Sequence, residues 1–527
     1  MKALFESRKS ELANKLVDQI GNPIDTNSVF IALEMTGITN HTANDQYGES
    51  SLDDLADDIY RKCKVLTLRR TKTIIVERRI FIKSLKHFVI SFTTGLELSI
   101  PMIVQMISIM LLGFSLWAYI GFNTQISTFI AIGTFCSYIV TGGFVQGIGR
   151  KGLQYLSWEN PVLAKKGVYR IYREAIFMIL LFGILMGCII LLFSWRLSLI
   201  YPLLSLGYYF MLAFLWLNLA LLYIRRKSFS TLLTVFIPIV LIFLLLKLRV
   251  MNIIGAQLVG LLVANLLSFF WGYIRFYNLS PDLEKLLNNA KLPPNIWFRE
   301  SFRRYFLFGV FYFAFIMADR IVNWSFSFTG KAFLFNNSYE IGLDFALICF
   351  PLFLILIEYA TRELFGRVNI VEKNLRSTQI KEFNNRFTVY YIVTILSIPF
   401  ISLCFFILFK QLFWFLMNHY SISIIKPLFT DPVTQFAFDF SYFSYCFVGM
   451  GLFNSQLQFS HSRPQMPLKA ALVGFFVNST LGSFLSWRFD SRYSVIGLFI
   501  GSIVFFFLTT IENFRLMEEF DYASYAA

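Results

Sequence analysis

The chain has 527 residues, of which 56% are hydrophobic and 15% charged, with 62 Phe and a formal net charge of +15. An ordinary soluble domain carries about 25% charged residues, so this composition excludes a soluble globular enzyme. The basic excess does not point to nucleic acid, because no basic, aromatic-interleaved soluble module is present. It falls instead in loops between long apolar stretches.

Residues 1–86 read as a soluble segment, basic near the membrane. Its first 30 residues are polar and hold no signal-peptide core. Phe5 to Ile20 has apolar residues at helical spacing, which predicts an amphipathic helix that Gly21-Asn22-Pro23 ends. Ser51 to Val65 predicts a second helix, with Asp53, Asp54, Asp57 and Asp58 suited to its N-terminal half and Arg61, Lys62 and Lys64 to its C-terminal half. The four Asp residues are a solvated helix start; as metal ligands they have no supporting geometry. Arg61 to Lys86 holds ten Lys or Arg, a run that keeps its side in the cytoplasm and binds anionic lipid headgroups at about 1 kcal/mol per basic residue.

Twelve apolar spans follow, near 88–118, 124–147, 175–194, 198–223, 229–247, 252–276, 304–324, 340–361, 388–413, 433–456, 468–487 and 494–513. Each approaches the roughly 20 residues that a bilayer core demands. The expected class is therefore an all-α polytopic membrane protein. The loops 148–174, 224–228, 275–304, 362–387, 460–469 and the tail carry 24 Lys or Arg, the remaining loops together six. By the positive-inside rule the former face the cytoplasm, with both termini. Gly142 to Lys151 (GGFVQGIGRK) reads as a flexible span end. Ser280-Pro281-Asp282 is a good helix start, so Pro281–Asn289 is expected as a short amphipathic helix before Pro293-Pro294. That midpoint gives a first lobe over 87–277, a linker over 278–303, a second lobe over 304–513 and a tail over 514–527.

Chemistry outside the spans is sparse. The loops of the outer side are short, and His41, His87, His419 and His461 fall in separate places. There is no phosphate-binding Gly loop with Lys-Ser/Thr. Cys136, Cys188, Cys349, Cys404 and Cys446 lie in spans and Cys63 in the basic segment, none at metal-ligand spacing. No catalytic residue, metal or cofactor is expected. Polar groups inside spans remain, and each asks for a partner or a watery cavity because an ionisable group in the bilayer core costs a few kcal/mol. Glu97, Pro101 and Gln105 share one face of the first span. Asp319 and Arg320, followed by Asn323 and Trp324, form the most polar cluster. Adjacent helical residues diverge by about 100°, so one or both must pair across, with Glu340 and Asp344 at the same level. The alternative is that span 7 ends by Ala318 and the cluster is interfacial. Glu358 and Arg362 are an i, i+4 pair at an inner helix end or gate. Gln435 and Asp439 share a face of span 10, and Asn454, Asn265 and Asn478 complete the candidates for a substrate path.

The segments Gly309 to Trp324 (GVFYFAFIMADRIVNW) and Ile357 to Leu375 (IEYATRELFGRVNIVEKNL), with the six-plus-six plan, resemble the multidrug/oligosaccharidyl-lipid/polysaccharide (MOP) exporter superfamily, closest to the Pel-type exopolysaccharide exporter subunit. Phe365 and Asn369 stand where that subunit has tyrosines. The resemblance implies a multi-pass inner-membrane exporter of a polysaccharide or lipid-linked glycan, served by a cytoplasmic glycosyltransferase and other membrane subunits. Two alternatives stay open: an ion-coupled exporter of small molecules in the same superfamily, and a membrane-embedded acyl- or glycosyltransferase. Many neutral hydrogen-bonding groups favour a glycan; a compact carboxylate site favours cation coupling.

Overall fold

The computed structural model describes residues 2–20, 23, 25–76, 89, 99, 101–157, 160–193, 198–224, 228–274, 292–326, 333–372, 380–420, 425–518 and 520. Glu97, the Pro281–Asn289 helix and the end of the basic run from Arg61 to Lys86 lie outside them. The chain divides into two compact units, one of Met1–Phe92, Glu358–Ser397 and Asn513–Ala527, the other of Thr93–Ile357 and Ile398–Glu512.

In the first unit, α1 (Lys2–Ile20), α2 (Thr26–Met35), α3 (Asn40–Tyr47) and α4 (Leu52–Val76) pack together. Leu16, Val29, Leu33, Leu55, Ile59 and Cys63 meet in their core. The two expected helices are present; α2 and α3 are additions whose ten and eight residues are too short to show a clear apolar period. Lys9 is buried among them and pairs with Glu49 and with Asp58 at 3.1 Å. Burial alone would lower its pKa, but the hydrogen bonds to Glu49 and Asp58 outweigh that and hold it above the ordinary value. Burial pushes the Cys63 thiol up to about 11, which leaves it inert. Asp54 accepts hydrogen bonds from the Ser50 and Ser51 hydroxyls, which hold it below the usual carboxylate range. The same unit holds the Glu358–Arg362 pair, joined at 2.6 Å along one helix, and Asn384, which donates to the Glu518 carbonyl at 2.9 Å.

Most of the membrane body lies in the second unit, with residues 358–397 and 513–518 of its helices in the first. Among the described residues, eleven helices are long and apolar enough to cross a membrane, and Pro101–Leu112 (α5) is a shorter apolar one. They are α6 (Thr124–Ser157), α7 (Pro161–Phe193), α8 (Ile200–Ile224), α9 (Ser228–Lys247), α10 (Ile253–Phe269), α11 (Asn295–Ser325), α12 (Asn337–Glu372), α13 (Ile380–Tyr420), α14 (Pro432–Ser460), α15 (Gln465–Arg488) and α16 (Ser494–Glu518). Side-chain caps start several of them: Asn123 Oδ1 accepts from the Ile126 N–H at 2.8 Å, Asn252 from Gly255 at 2.9 Å and Asp431 from Val433 at 3.1 Å. Phe177, Ile184 and Leu192 on α7 and Phe400 on α13 stay exposed, the surface that lipid covers.

The loop expected over 148–174 is mostly helix: α6 runs to Ser157 and α7 begins at Pro161. The 34 residues of α6 span about 51 Å at 1.5 Å each, well beyond a hydrocarbon core. Hydropathy reads only the buried part, whereas backbone hydrogen bonds carry the helix on into water. Gly142–Lys151 is correspondingly not a flexible end. A Cβ on Gly309 would lie 2.4 Å from the Gly142 carbonyl oxygen, and one on Gly143 would lie 2.5 Å from the Phe306 ring. Glycines let the backbones of α6 and α11 touch, the use of small residues at helix contacts in membranes.

Candidate functional site

The densest polar group in the membrane body lies where α11 ends and α12 begins. α11 does not stop at Ala318; it continues to Ser325, carrying Asp319, Arg320, Asn323 and Trp324 inside the protein. Arg320 and Trp324, one turn apart, both reach Glu340. Arg320 pairs with Glu340 Oε2 and lies 3.5 Å from Asp344 Oδ1, while Trp324 Nε1 donates to Glu340 Oε1 at 2.8 Å. Asp319 and Asn323 share the neighbouring face. The Tyr339 hydroxyl donates to Asp319 Oδ2 at 2.7 Å, and Asn323 Nδ2 donates to the Ser491 carbonyl at 2.8 Å. The divergence of about 100° between adjacent residues thus sends Asp319 and Arg320 to different partners on one helix.

Local structure supports this charge. Glu340 sits in the first turn of α12, where the helix dipole favours an anion. Arg320 lies near the C-terminal end of α11, where it favours a cation. Phe135 of α6 stacks on Trp324 at 5.2 Å, and the guanidinium lies 5.8 Å from the same Phe135 ring. Tyr138 of α6 and Tyr445 of α14 stand within electrostatic reach of Arg320.

Burial makes the cluster costly. Asp319, Arg320 and Glu340 are 0%, 5% and 2% exposed. The Asp344 side chain is 53% exposed. Of the two buried carboxylates, Glu340 pairs with the guanidinium and Asp319 has only the Tyr339 hydroxyl, while the exposed Asp344 lies at the guanidinium's other side. Taking an unpaired ion out of water costs several kcal/mol even after relaxation. Asp319 Oδ1 has no hydrogen-bond partner, nor has Arg320 Nε.

The other candidates are spread more widely. Gln105 is buried and its Oε1 accepts from the Leu116 N–H at 3.0 Å, holding the turn after α5. Asn265 Nδ2 donates to the Met211 and Leu261 carbonyls at 2.8 and 2.9 Å. Asn478 Nδ2 donates to the Phe315 carbonyl at 2.8 Å, and Asn454 Nδ2 to the Thr510 hydroxyl at 2.8 Å. Asp439 pairs with Lys410 of α13 at 2.7 Å. The structure thus brings Asp319, Arg320, Asn323 and Asp344 together and leaves the rest apart. Tyr339 and Tyr445 join the cluster unforeseen, because a tyrosine in a span reads as apolar filler until its hydroxyl is placed.

No protein-family model matches the chain, and no curated protein matches it in sequence. Solved structures do. A MATE transporter in complex with MaD3S superposes with a TM-score of 0.53 at 14% identity, over 81% of this chain and 97% of the other. The fold is that of the MATE transporters. An outward-facing multidrug resistance transporter of the MATE family, of the MOP superfamily, gives 0.53 at 13% identity over 83% and 97%. A eukaryotic MATE transporter gives 0.53 at 14% identity over 84% and 99%. At such identities the likeness is one of fold. The superfamily of these MATE-fold structures is the one the sequence resembles.

Proposed function

We propose that this chain is an ion-coupled exporter of small molecules in the inner membrane, with both termini in the cytoplasm. The observation that carries the reading is the compact cluster of buried Asp319, Arg320 and Glu340 beside the exposed Asp344, within a MATE-like fold. A buried group of carboxylates that cannot all be neutralised from within has a reason to bind and release an ion, and ion exchange is what drives uphill export. The likeness to a multidrug resistance transporter supports the substrate class.

Export of an exopolysaccharide or lipid-linked glycan, with a cytoplasmic glycosyltransferase as partner, is the second reading. It draws on the sequence resemblance and on the stacked rings of Tyr138, Trp216 and Phe313, at 4.8 and 5.5 Å. It is weaker because the amide N–H groups suited to reading a sugar are engaged within the protein, Asn265 and Asn478 donating to backbone carbonyls and Asn454 to Thr510, and the Asn265 and Asn478 oxygens are buried.

Expression in a bacterium stripped of its own cation exporters tests the reading. Ethidium retention should fall, and the effect should vanish in Arg320→Ala. A deletion strain that traps a surface polysaccharide inside, with unchanged sensitivity to small cations, would replace this reading with the glycan one. Reporter fusions after Leu85, Asn288 and Tyr522 should report cytoplasm and one at Asn337 the outside.

A further inference from the structure

We propose that the Lys410–Asp439 pair is the headgroup site of a phospholipid with a primary ammonium, a phosphatidylethanolamine, held in a groove between α13 and α16. The site lies on a surface turned away from the charged cluster, so it is the same whatever the protein exports.

The groove follows from packing. On α14, Phe436, Asp439, Phe440, Phe443 and Phe447 are half-buried, whereas Tyr442, Ser444, Tyr445 and Cys446 are buried. The half-buried residues recur at helical spacing and form one stripe of the helix. Phe443 packs on Phe406 of α13 at 5.0 Å, and Phe440 and Phe447 pack on Phe499 of α16 at 5.5 and 6.0 Å. The stripe is therefore a floor with α13 on one side and α16 on the other. Tyr445, which lies within electrostatic reach of Arg320, is six residues from Asp439 and turned about 120° from it. Ile407 and Trp414, which flank Lys410 on α13, are exposed, so this face is one that lipid covers.

Chemistry selects the occupant. Lys410 Nζ lies 2.7 Å from Asp439 Oδ1, yet the two side chains remain 40% and 39% exposed. The contact is off hydrogen-bond geometry, for Asp439 Oδ1 is buried without a hydrogen-bond partner. Nζ also stands 4.7 Å from the Phe406 ring, which attracts the charge but offers no lone pair. The three donors of the ammonium and the second oxygen of the carboxylate are thus left to the lipid side, where charged groups are costly. Lys410 lies three residues inside the apolar end near 413, and Asp439 six inside that near 433. These are depths of about 5 and 9 Å, within reach of a headgroup. A phosphate on Lys410 and an ammonium on Asp439 make four alternating charges that sum to zero, and the ammonium brings N–H donors to the carboxylate. Phosphatidylcholine cannot match this, because its quaternary nitrogen carries no hydrogen. Phosphatidylglycerol has an anion for Lys410 and no cation for Asp439. The acyl chains follow Phe443 and Phe447 along the groove.

The test uses the full chain in detergent, titrated with phosphatidylethanolamine, phosphatidylcholine or phosphatidylglycerol of the same acyl chains. Native mass spectrometry reads the lipid retained, and thermal unfolding reads the melting temperature. Wild type should retain phosphatidylethanolamine about tenfold better than either other lipid, the ratio that one charge-assisted hydrogen bond supplies, and should melt higher with it. Asp439→Asn should lose most of that preference, and Lys410→Met should lose retention of all three. The double change Lys410→Met with Asp439→Leu removes both charges together, is expected to fold, and should show no preference. Should a single variant fail to fold, the wild type and the double variant decide. Equal retention of the three lipids by wild type overturns the proposal and leaves the pair as a strut between α13 and α14. A preference for phosphatidylethanolamine that survives in the double variant overturns it equally.

Discussion

The two lobes of the membrane body bury polar groups for different ends. In the first lobe, Gln257 Nε2 donates to the Ser115 and Ala118 carbonyls at 3.1 and 2.9 Å and its Oε1 accepts from Tyr208 at 2.6 Å. Tyr172 donates to Asn218 at 2.7 Å, and Gln105 holds Leu116. These are neutral groups closing turns and joining helices, each worth about 1 kcal/mol once its exchange with water is counted. In the second lobe, the pairs at α11 and α12 are charged and incompletely matched. A neutral network fixes a structure and tolerates a stray unpartnered atom such as Gln105 Nε2; a charged one left with a surplus marks a candidate site. The difference sets a scaffold in the first network against the cluster to which the proposed function assigns ion exchange.

Breaking the charged cluster should have the largest effect. Arg320→Ala strands the buried Glu340 and is expected to cost about 3–5 kcal/mol and to abolish ethidium efflux, read by thermal unfolding and by transport. The double change Arg320→Met with Glu340→Met sharpens the point: it removes both members of a buried pair, so most of the stability should return while driven efflux does not.

Next comes the contact that the lobes share. Gly309→Val places its Cβ 2.4 Å from the Gly142 oxygen, a backbone atom that cannot swing away, and is expected to cost about 3 kcal/mol by overpacking. Thermal unfolding gives the stability and a transport assay the accompanying loss.

Gln257→Leu tests the scaffold. It leaves the Ser115 and Ala118 carbonyls without their donor, at about 2 kcal/mol. Efflux per folded molecule should match wild type. A loss of coupling here, with normal stability, would dissolve the contrast between the lobes.

The smallest effect is a pH dependence in the N-terminal helices. Lys9 has its pKa raised above the ordinary 10.5. Its pairing therefore contributes in full below that value and is lost as pH rises through the higher folded one. Hydrogen exchange of α1 in the full chain should be flat from neutral pH to about 9 after correction for the intrinsic rate, then accelerate above 10.5. Lys9→Met should remove that rise.

Much of this was legible in the sequence, for physical reasons. Apolar stretches of span length announce membrane helices because lipid leaves the backbone no other partner. The pairing of Arg320 with Glu340 and Asp344 followed from the cost of a lone ion and the angle between adjacent helical residues. The extent of α6 and α7 was not legible, since beyond the bilayer a helix no longer needs apolar residues. Nor was the role of Gly142 and Gly309: a glycine in a span signals a loose end or a close contact equally well until its neighbour is known. Tyr339 and Lys410 were missed as partners of Asp319 and Asp439 because each pairing joins different helices. The substrate class stayed divided between glycan and small molecule, because a neutral amide in a span reads the same whether it faces a ligand or, as Asn265 and Asn478 do, donates to a backbone carbonyl.

The central claim, that the second-lobe cluster couples an ion to transport, is tested most directly by comparing two rates in one variant. Asp319→Asn keeps the shape and the hydrogen bond from Tyr339 but removes the carboxylate charge that an exchanged ion would neutralise. In liposomes it should still exchange internal for external ethidium at the wild-type rate when no gradient is present, and should fail to move ethidium uphill when a gradient is imposed. Wild-type uphill transport by Asp319→Asn would contradict the account.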